Sequence, residues 1–234
     1  MEKQQPNAPH LTYLRQMTEG KRRFRAVDRI LGAKKPLSGN TDYDNEFAFL
    51  QVRRIVELIT FSAIVSDEAR YKRSREIDRE NNPKENGDYT SDWNAANILV
   101  KLSKISPHFL PRPLGKMKVQ SDGVNHFNEA SAKLTHDRLI AIYKTASGYA
   151  HITSPFKPHA EDIGREKKEV ARFTIVKELK FLKSVIWDHV KIGLIWQEDA
   201  NPLELENSDT AWLVWFGDHG SDNIQMSLAS AIQG

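Results

Sequence analysis

Near the middle of the chain, Lys144, Ser147, Gly148 and His151 recur at i, i+3, i+4 and i+7. In a helix that spacing brings a cation, a hydroxyl, a bare backbone position and an imidazole onto one face. Such a stripe suits a phosphate. Gly148 removes side-chain bulk where a ligand or second helix would approach. His151 falls at the expected C-terminus of the helix, where the dipole favours the imidazolium a general acid needs. The span from Lys144 to His151 is about 10.5 Å along the axis, so a phosphate or a second helix has to bridge it. The structural alternative makes His151 a C-terminal cap and Gly148 a packing contact.

A second polar intrusion lies on an otherwise apolar stretch, where Arg54 and Glu57 stand one turn apart among Leu50, Ile55, Leu58 and Phe61. Charges on such a helix are paired or line a cleft. The pair can be purely structural, orient a neighbouring imidazole, or hold phosphate through the guanidinium fork. The turn Asp218-His219-Gly220-Ser221-Asp222 also holds residue types that catalytic sites use, but a hairpin loop needs the same types. The chain has no GxGxxG, Walker A, HExxH or GxSxG pattern. Of its eight histidines, His108, His126, His136 and His159 fall in expected loops or at a helix start without ligand spacing. We therefore expect no metal site and no cofactor.

Elements must position these groups. Leu11 to Leu31 has the apolar period of an amphipathic helix, with Gly20 as a point of interruption. Gly32 to Asn40 is a linker, after which Asp42 or Asp44 caps a central helix from about Asn45 to Tyr71. Lys72 to Thr90 collapses into charge and turn formers, either a mobile loop or a charged helical extension ending in disorder. Ser91 or Asp92 caps a helix over Trp93 to Ile105. Pro107 to Ala132 reads as a long irregular connection. Thr135 caps the helix Asp137 to His151, and a last helix runs from about Asp162 to Val190. Val170, Phe173, Val176, Leu179, Leu182 and Ile186 lie on one side of it. The period then changes to two. Ala211 to Phe216 and Asn223 to Ser230 flank a Gly- and Asp-rich turn, the signature of an antiparallel hairpin. Trp212 and Trp215, three apart, cannot share a strand face.

The chain is therefore mainly α, a helical bundle with a C-terminal antiparallel β-hairpin. It divides into a basic N-terminal helix and linker (1–41), a helical core (42–195) with a mobile insert (72–90), and a hairpin subdomain packed on the core (196–234). With 234 residues, 39% hydrophobic and 28% charged, it can bury a real core. The net charge of +3 does not by itself argue for nucleic acid. Seven basic residues between Lys21 and Lys35, against the single acid Asp28, make a local patch that is either a solvated helix face or a phosphate attractor. The absence of cysteine excludes disulfides and thiolate metal sites. No apolar stretch approaches a membrane span, and the first ten residues lack a signal-peptide core. We expect a cytoplasmic protein with no membrane partner.

The helical stripe resembles the HEPN superfamily, helical proteins that include metal-independent endoribonucleases of toxin–antitoxin and phage-defence systems. The family motif is Arg, four to six residues, then His, near a helix end. Here it is Lys144-Thr-Ala-Ser-Gly-Tyr-Ala-His151, with lysine in the arginine position. Lysine supplies the charge but not the bidentate geometry. The resemblance covers roughly residues 42–192. Phe47 to Asp67, Trp93 to Pro111 and Leu139 to Phe156 are also similar to a group of uncharacterised bacterial proteins. The family places a polar or acidic residue on an earlier helix facing the motif, a role Glu57 fills here. The resemblance thus implies His151, Lys144 and Glu57 as catalytic residues and Arg53, Arg54 and Ser147 as substrate-binding ones. It also implies RNA as substrate, a homodimer with His151 near the subunit boundary, and an antitoxin or defence-system protein as partner. The competing expectations are a non-catalytic binding or scaffold subunit of a defence complex, and a ligand sensor using a pocket between helices and hairpin.

Overall fold

The structure, a computed structural model, describes residues 8–82, 88–106, 108–119, 125–150, 160–193 and 211–229. The chain opens with helix α1 (Pro9–Gly32), which Gly20 does not interrupt. Pro9 stands in its first turn, where a missing N–H costs nothing. Tyr13, Met17, Phe24, Val27 and Ile30 form its buried stripe. The last carbonyls of α1, which no helical N–H can satisfy, accept from Arg172: Ile30 O at 3.2 Å and Leu31 O at 2.7 Å.

Helix α2 (Thr41–Ser66) is the centre of the bundle, buried on most of its circumference and packed on α1, α5, α6 and α4. Its cap is Asn40, whose side chain accepts from Asp42 N at 2.8 Å, not Asp42 or Asp44. Asp44 instead closes the linker, accepting from Leu37 N at 2.7 Å and Ser38 N at 3.0 Å. Those bonds hold its carboxyl below the ordinary carboxylate range, against the opposing effect of burial. The single helix expected to Tyr71 breaks at Asp67, and α3 (Glu68–Asn81) begins there. Of the two readings for Lys72 to Thr90, the charged helical extension is what forms as far as Asn81. A short 3₁₀ turn (Tyr89–Ser91) follows, and residues 83–87 lie outside the described residues. Helix α4 (Ala95–Ile105) is capped by Asn94, which accepts from Ala96 N and Asn97 N. Asp92, an expected cap, is engaged elsewhere, by the Tyr71 hydroxyl at 2.7 Å and Arg75 at 2.9 Å.

The expected irregular connection after α4 contains two strands, β1 (Arg112–Val119) and β2 (Asn125–Glu129), paired antiparallel; His126 is thus a strand residue rather than a loop residue. Prolines at 111 and 113 masked the strand signal, since a proline demotes a run to an edge or non-strand. After α5 (His136–Ala150) and α6 (Ala160–Ile186) comes β3 (Asp188–Ile192), where the sequence pattern continues the helix to Val190. His189 and Lys191 alternate inward on that strand.

The C-terminal strands β4 (Ala211–Trp215) and β5 (Gln225–Ala229) pair antiparallel through the turn after Gly217, as the period-two pattern requires. They complete a five-stranded sheet in the order β2-β1-β3-β4-β5. The two tryptophans do part company. Trp212 stacks on His10 with ring centroids 5.3 Å apart, while Trp215 lies 6.3 Å from Phe127 of β2. Three inter-strand spacings separate β2 from β4, about 14 Å in a flat sheet. The β1–β2 arm therefore curls over the outer face, and its register slips between Leu114 and Met117. No helix among the described residues is long and apolar enough to cross a membrane.

The exposed side of α6 departs from expectation. Ala171, Ile175, Leu179, Leu182, Val185 and Ile186 are buried, whereas Val170, Phe173 and Val176 face solvent, Phe173 at 74% exposure. The true stripe is offset from the expected one in the first half of the helix. There Arg172, which reaches the α1 carbonyls, fixes the rotation.

Candidate functional site

Arg53, Arg54 and Glu57 of α2 lie along a seam with α5, which runs antiparallel to it. Tyr149 stacks on Phe49 (3.9 Å between ring centroids) near one end, and Tyr143 lies beside Arg53 further along. Thr135 Oγ1 accepts from Arg138 N at 3.2 Å, the cap expected for α5. Leu139, Ile142, Tyr143 and Ala146 face the core.

Glu57 is only 4% exposed, yet it is not isolated. Arg53 Nε donates to its Oε1 at 2.9 Å and Arg54 NH1 to its Oε2 at 2.7 Å. One carboxylate thus holds two guanidiniums of unlike exposure, Arg53 turned into the seam and Arg54 with 54% of its side chain open to solvent. Arg53 also donates to the Tyr143 hydroxyl at 3.3 Å, and its guanidinium carbon lies 5.2 Å from the Tyr143 ring centre. Burial works against the Arg53 charge, but the hydrogen bond to Glu57 and the nearby Tyr143 outweigh it and hold the guanidinium above its ordinary value. With one guanidinium on each oxygen, Glu57 fixes both arginines in place.

On α5, Lys144 is exposed one position beyond Tyr143, and Gly148 is exposed on the following turn. Ser147 is half-buried, its Oγ buried without a hydrogen-bond partner. His151 lies just past Ala150 and outside the described residues, as does His159. The structure thus brings Arg53, Arg54 and Glu57 together with α5 through Tyr143. Tyr143 is a participant that the sequence analysis did not single out. Its spacing of four from Ser147 is the signal that could have placed it with the polar stripe.

The other candidates resolve into structural roles. In the turn Asp218 to Asp222, the Asp218 side chain accepts from Gly220 N at 2.9 Å, Ser221 Oγ accepts from Asn223 N at 3.0 Å, and His219 stacks on Trp187 at 4.0 Å. Asp222 reaches α1, accepting from Arg22 at 3.0 Å and from Arg25. The basic run is correspondingly depleted. Lys21 is buried and donates to the carbonyls of Phe216 and Asn223, and Arg23 pairs with Glu19 at 2.7 Å. Arg29, Lys34 and Lys35 remain exposed.

Among the described residues the most strongly perturbed imidazole is His189, which the sequence analysis did not single out. Its Nδ1 lies 2.7 Å from Ile186 O and its Nε2 2.7 Å from the Tyr13 hydroxyl. Of the two neutral tautomers, the one protonated at Nδ1 satisfies both, with Nδ1–H donating to Ile186 O and Tyr13 donating to Nε2. Burial depresses its pKa to about 4 and pushes the Tyr13 hydroxyl upward. Lys191, two residues along, donates to His108 O at 3.1 Å and Ile192 O at 3.0 Å, and burial lowers its pKa to about 8. Both groups staple β3 to its surroundings and neither opens to solvent. Among the described residues no three His, Asp or Glu side chains gather to hold a metal ion.

Comparison with protein-family models, curated proteins and solved structures finds no match to this chain.

Proposed function

We propose that the chain is a HEPN-like RNA-binding protein whose α2–α5 seam serves metal-independent cleavage of RNA. The observation that carries the reading is the buried Glu57 carboxylate fixing two guanidiniums against α5, with Arg54 half in solvent. An arginine held in this way presents its remaining N–H donors to a phosphodiester without first losing side-chain freedom. Lys144, exposed on the adjoining helix, adds a second cation.

In this reading the RNA 2′-oxygen attacks its neighbouring phosphorus while solvent water takes the proton of the 2′-hydroxyl. The bond from phosphorus to the 5′-oxygen breaks, and the leaving oxygen takes a proton from His151 as general acid. Arg54 and Lys144 stabilise charge on the non-bridging oxygens, the buried Ser147 Oγ being out of reach of a bound strand, and Arg53 and Glu57 hold Arg54 and the seam in place. The products are a 2′,3′-cyclic phosphate and a free 5′-hydroxyl. Incubating the protein with RNA in EDTA tests this: the reading requires fragments with cyclic phosphate ends and leaves DNA of the same sequence intact.

The second reading, a non-catalytic subunit that docks a defence or antitoxin protein, is favoured by the exposed Val170, Phe173 and Val176 on α6. Binding of RNA without fragments, in the same assay, moves the weight to it.

A further inference from the structure

The two edges of the sheet are built differently. The β2 edge pairs with β1 through an interrupted register, and its sequence includes the acid Glu129. Bulges and charged side chains are the devices by which proteins keep a strand edge from pairing with another chain. The β5 edge has neither. It pairs with β4 over five consecutive residues without a slip, from Trp215↔Gln225 to Ala211↔Ala229. From Ile224 to Ala229 it contains no charge and no proline. Gln225 and Ser227 are exposed, and Leu228 is 50% exposed beside the partly buried Met226. Among the described residues no strand lies beyond it.

We propose that β5 is an interface for a second copy of this chain, paired antiparallel about a twofold axis through Ser227 to make one continuous ten-stranded sheet. The open backbone row admits only an extended strand. Across a twofold each residue meets its own copy or a near neighbour, so a charge on the edge would face a like charge about 5 Å away. A neutral edge is therefore the kind that can pair with itself, whereas one kept for an acidic or basic partner strand would carry the complementary charge. Centring on Ser227 sets Ser227 against Ser227, Met226 against Leu228 and Gln225 against Ala229. Apolar side chains then meet on the helix-facing side and small or neutral ones on the other. This contact is separate from the α5 stripe where the HEPN resemblance puts a subunit boundary, and it does not depend on RNA cleavage.

Sedimentation over a concentration series tests it. The full chain should shift from 26.8 kDa to twice that mass. Ser227→Lys, at an exposed position, should remain monomeric, and mixing it with Ser227→Glu should restore the dimer through opposite charges across the axis. A wild-type chain that stays monomeric, a Ser227→Lys chain that still dimerises, or a mixture that fails to recover the dimer overturns the proposal.

Discussion

The buried Glu57 carboxylate holds one guanidinium on each oxygen, so the positions of Arg53 and Arg54 depend on its charge. Removing its charge leaves Arg53 facing Tyr143 with no counter-ion, while Arg54 turns to water at little cost. We expect Glu57→Gln to lower unfolding free energy by about 1–2 kcal/mol, less than a fully buried pair would lose because Arg54 is largely solvated. Urea denaturation with unchanged far-ultraviolet circular dichroism checks this, and an unaltered midpoint would refute the structural role given to Glu57. His189 yields a second residue-scale expectation. Its folded-state pKa of about 4 lies below the ordinary value of 6.5. The unfolded chain therefore binds more protons between those values, and stability falls as pH drops from 6.5 to 4. The loss reaches about 3 kcal/mol at the lower end. Urea midpoints at several pH values should show this slope in the wild-type chain and a flatter one in His189→Gln.

At the scale of elements, period and turn chemistry told most of the truth. The α1, α5 and β4–β5 patterns are strong because each has an apolar rhythm between clear stop signals, and all three form where expected. The signal failed where tertiary contacts overrode local rhythm. β3 continues the helical pattern in sequence, but His189 and Lys191 find buried partners only when alternating on a strand. The rotation of α6 was equally hidden, since Val170, Phe173 and Val176 have helical spacing but the Arg172 bonds to α1 turn the helix away from them. Truncation separates the two stripes: Ile175→Ala should cost about 2–4 kcal/mol, and Phe173→Ser within about 0.5 kcal/mol of zero. Thermal or urea unfolding of the two variants reads the difference directly, and equal losses would contradict the burial on which this rotation rests. The exposed Lys144 and the Arg54–Glu57 pair were legible in the sequence, while His151 lies outside the described residues. Tyr143 as the link between them was not, because an aromatic at a core position reads as packing until its hydroxyl partner is known.

At the scale of the molecule, the helical layer and the sheet are joined by polar staples as well as by apolar packing. Tyr13 to His189, Lys21 to the carbonyls of Phe216 and Asn223, and Arg25 to Asp222 all tie α1 to the sheet or its turn. Lys183 to Asp28, at 2.6 Å, ties α6 to α1 in turn. This frame holds α2 at the centre and leaves the α2–α5 seam with Arg54 and Lys144 facing solvent. We propose that this seam cleaves RNA with His151 as the proton donor. The most direct test is the single-turnover rate of RNA cleavage in EDTA by the wild-type, Lys144→Ala and His151→Ala chains, each verified as folded. The account predicts cleavage by the wild-type chain, a rate at least about 100-fold lower for His151→Ala, and a smaller loss for Lys144→Ala. A wild-type chain that leaves RNA intact, or a His151→Ala chain that cuts at the wild-type rate, would contradict it.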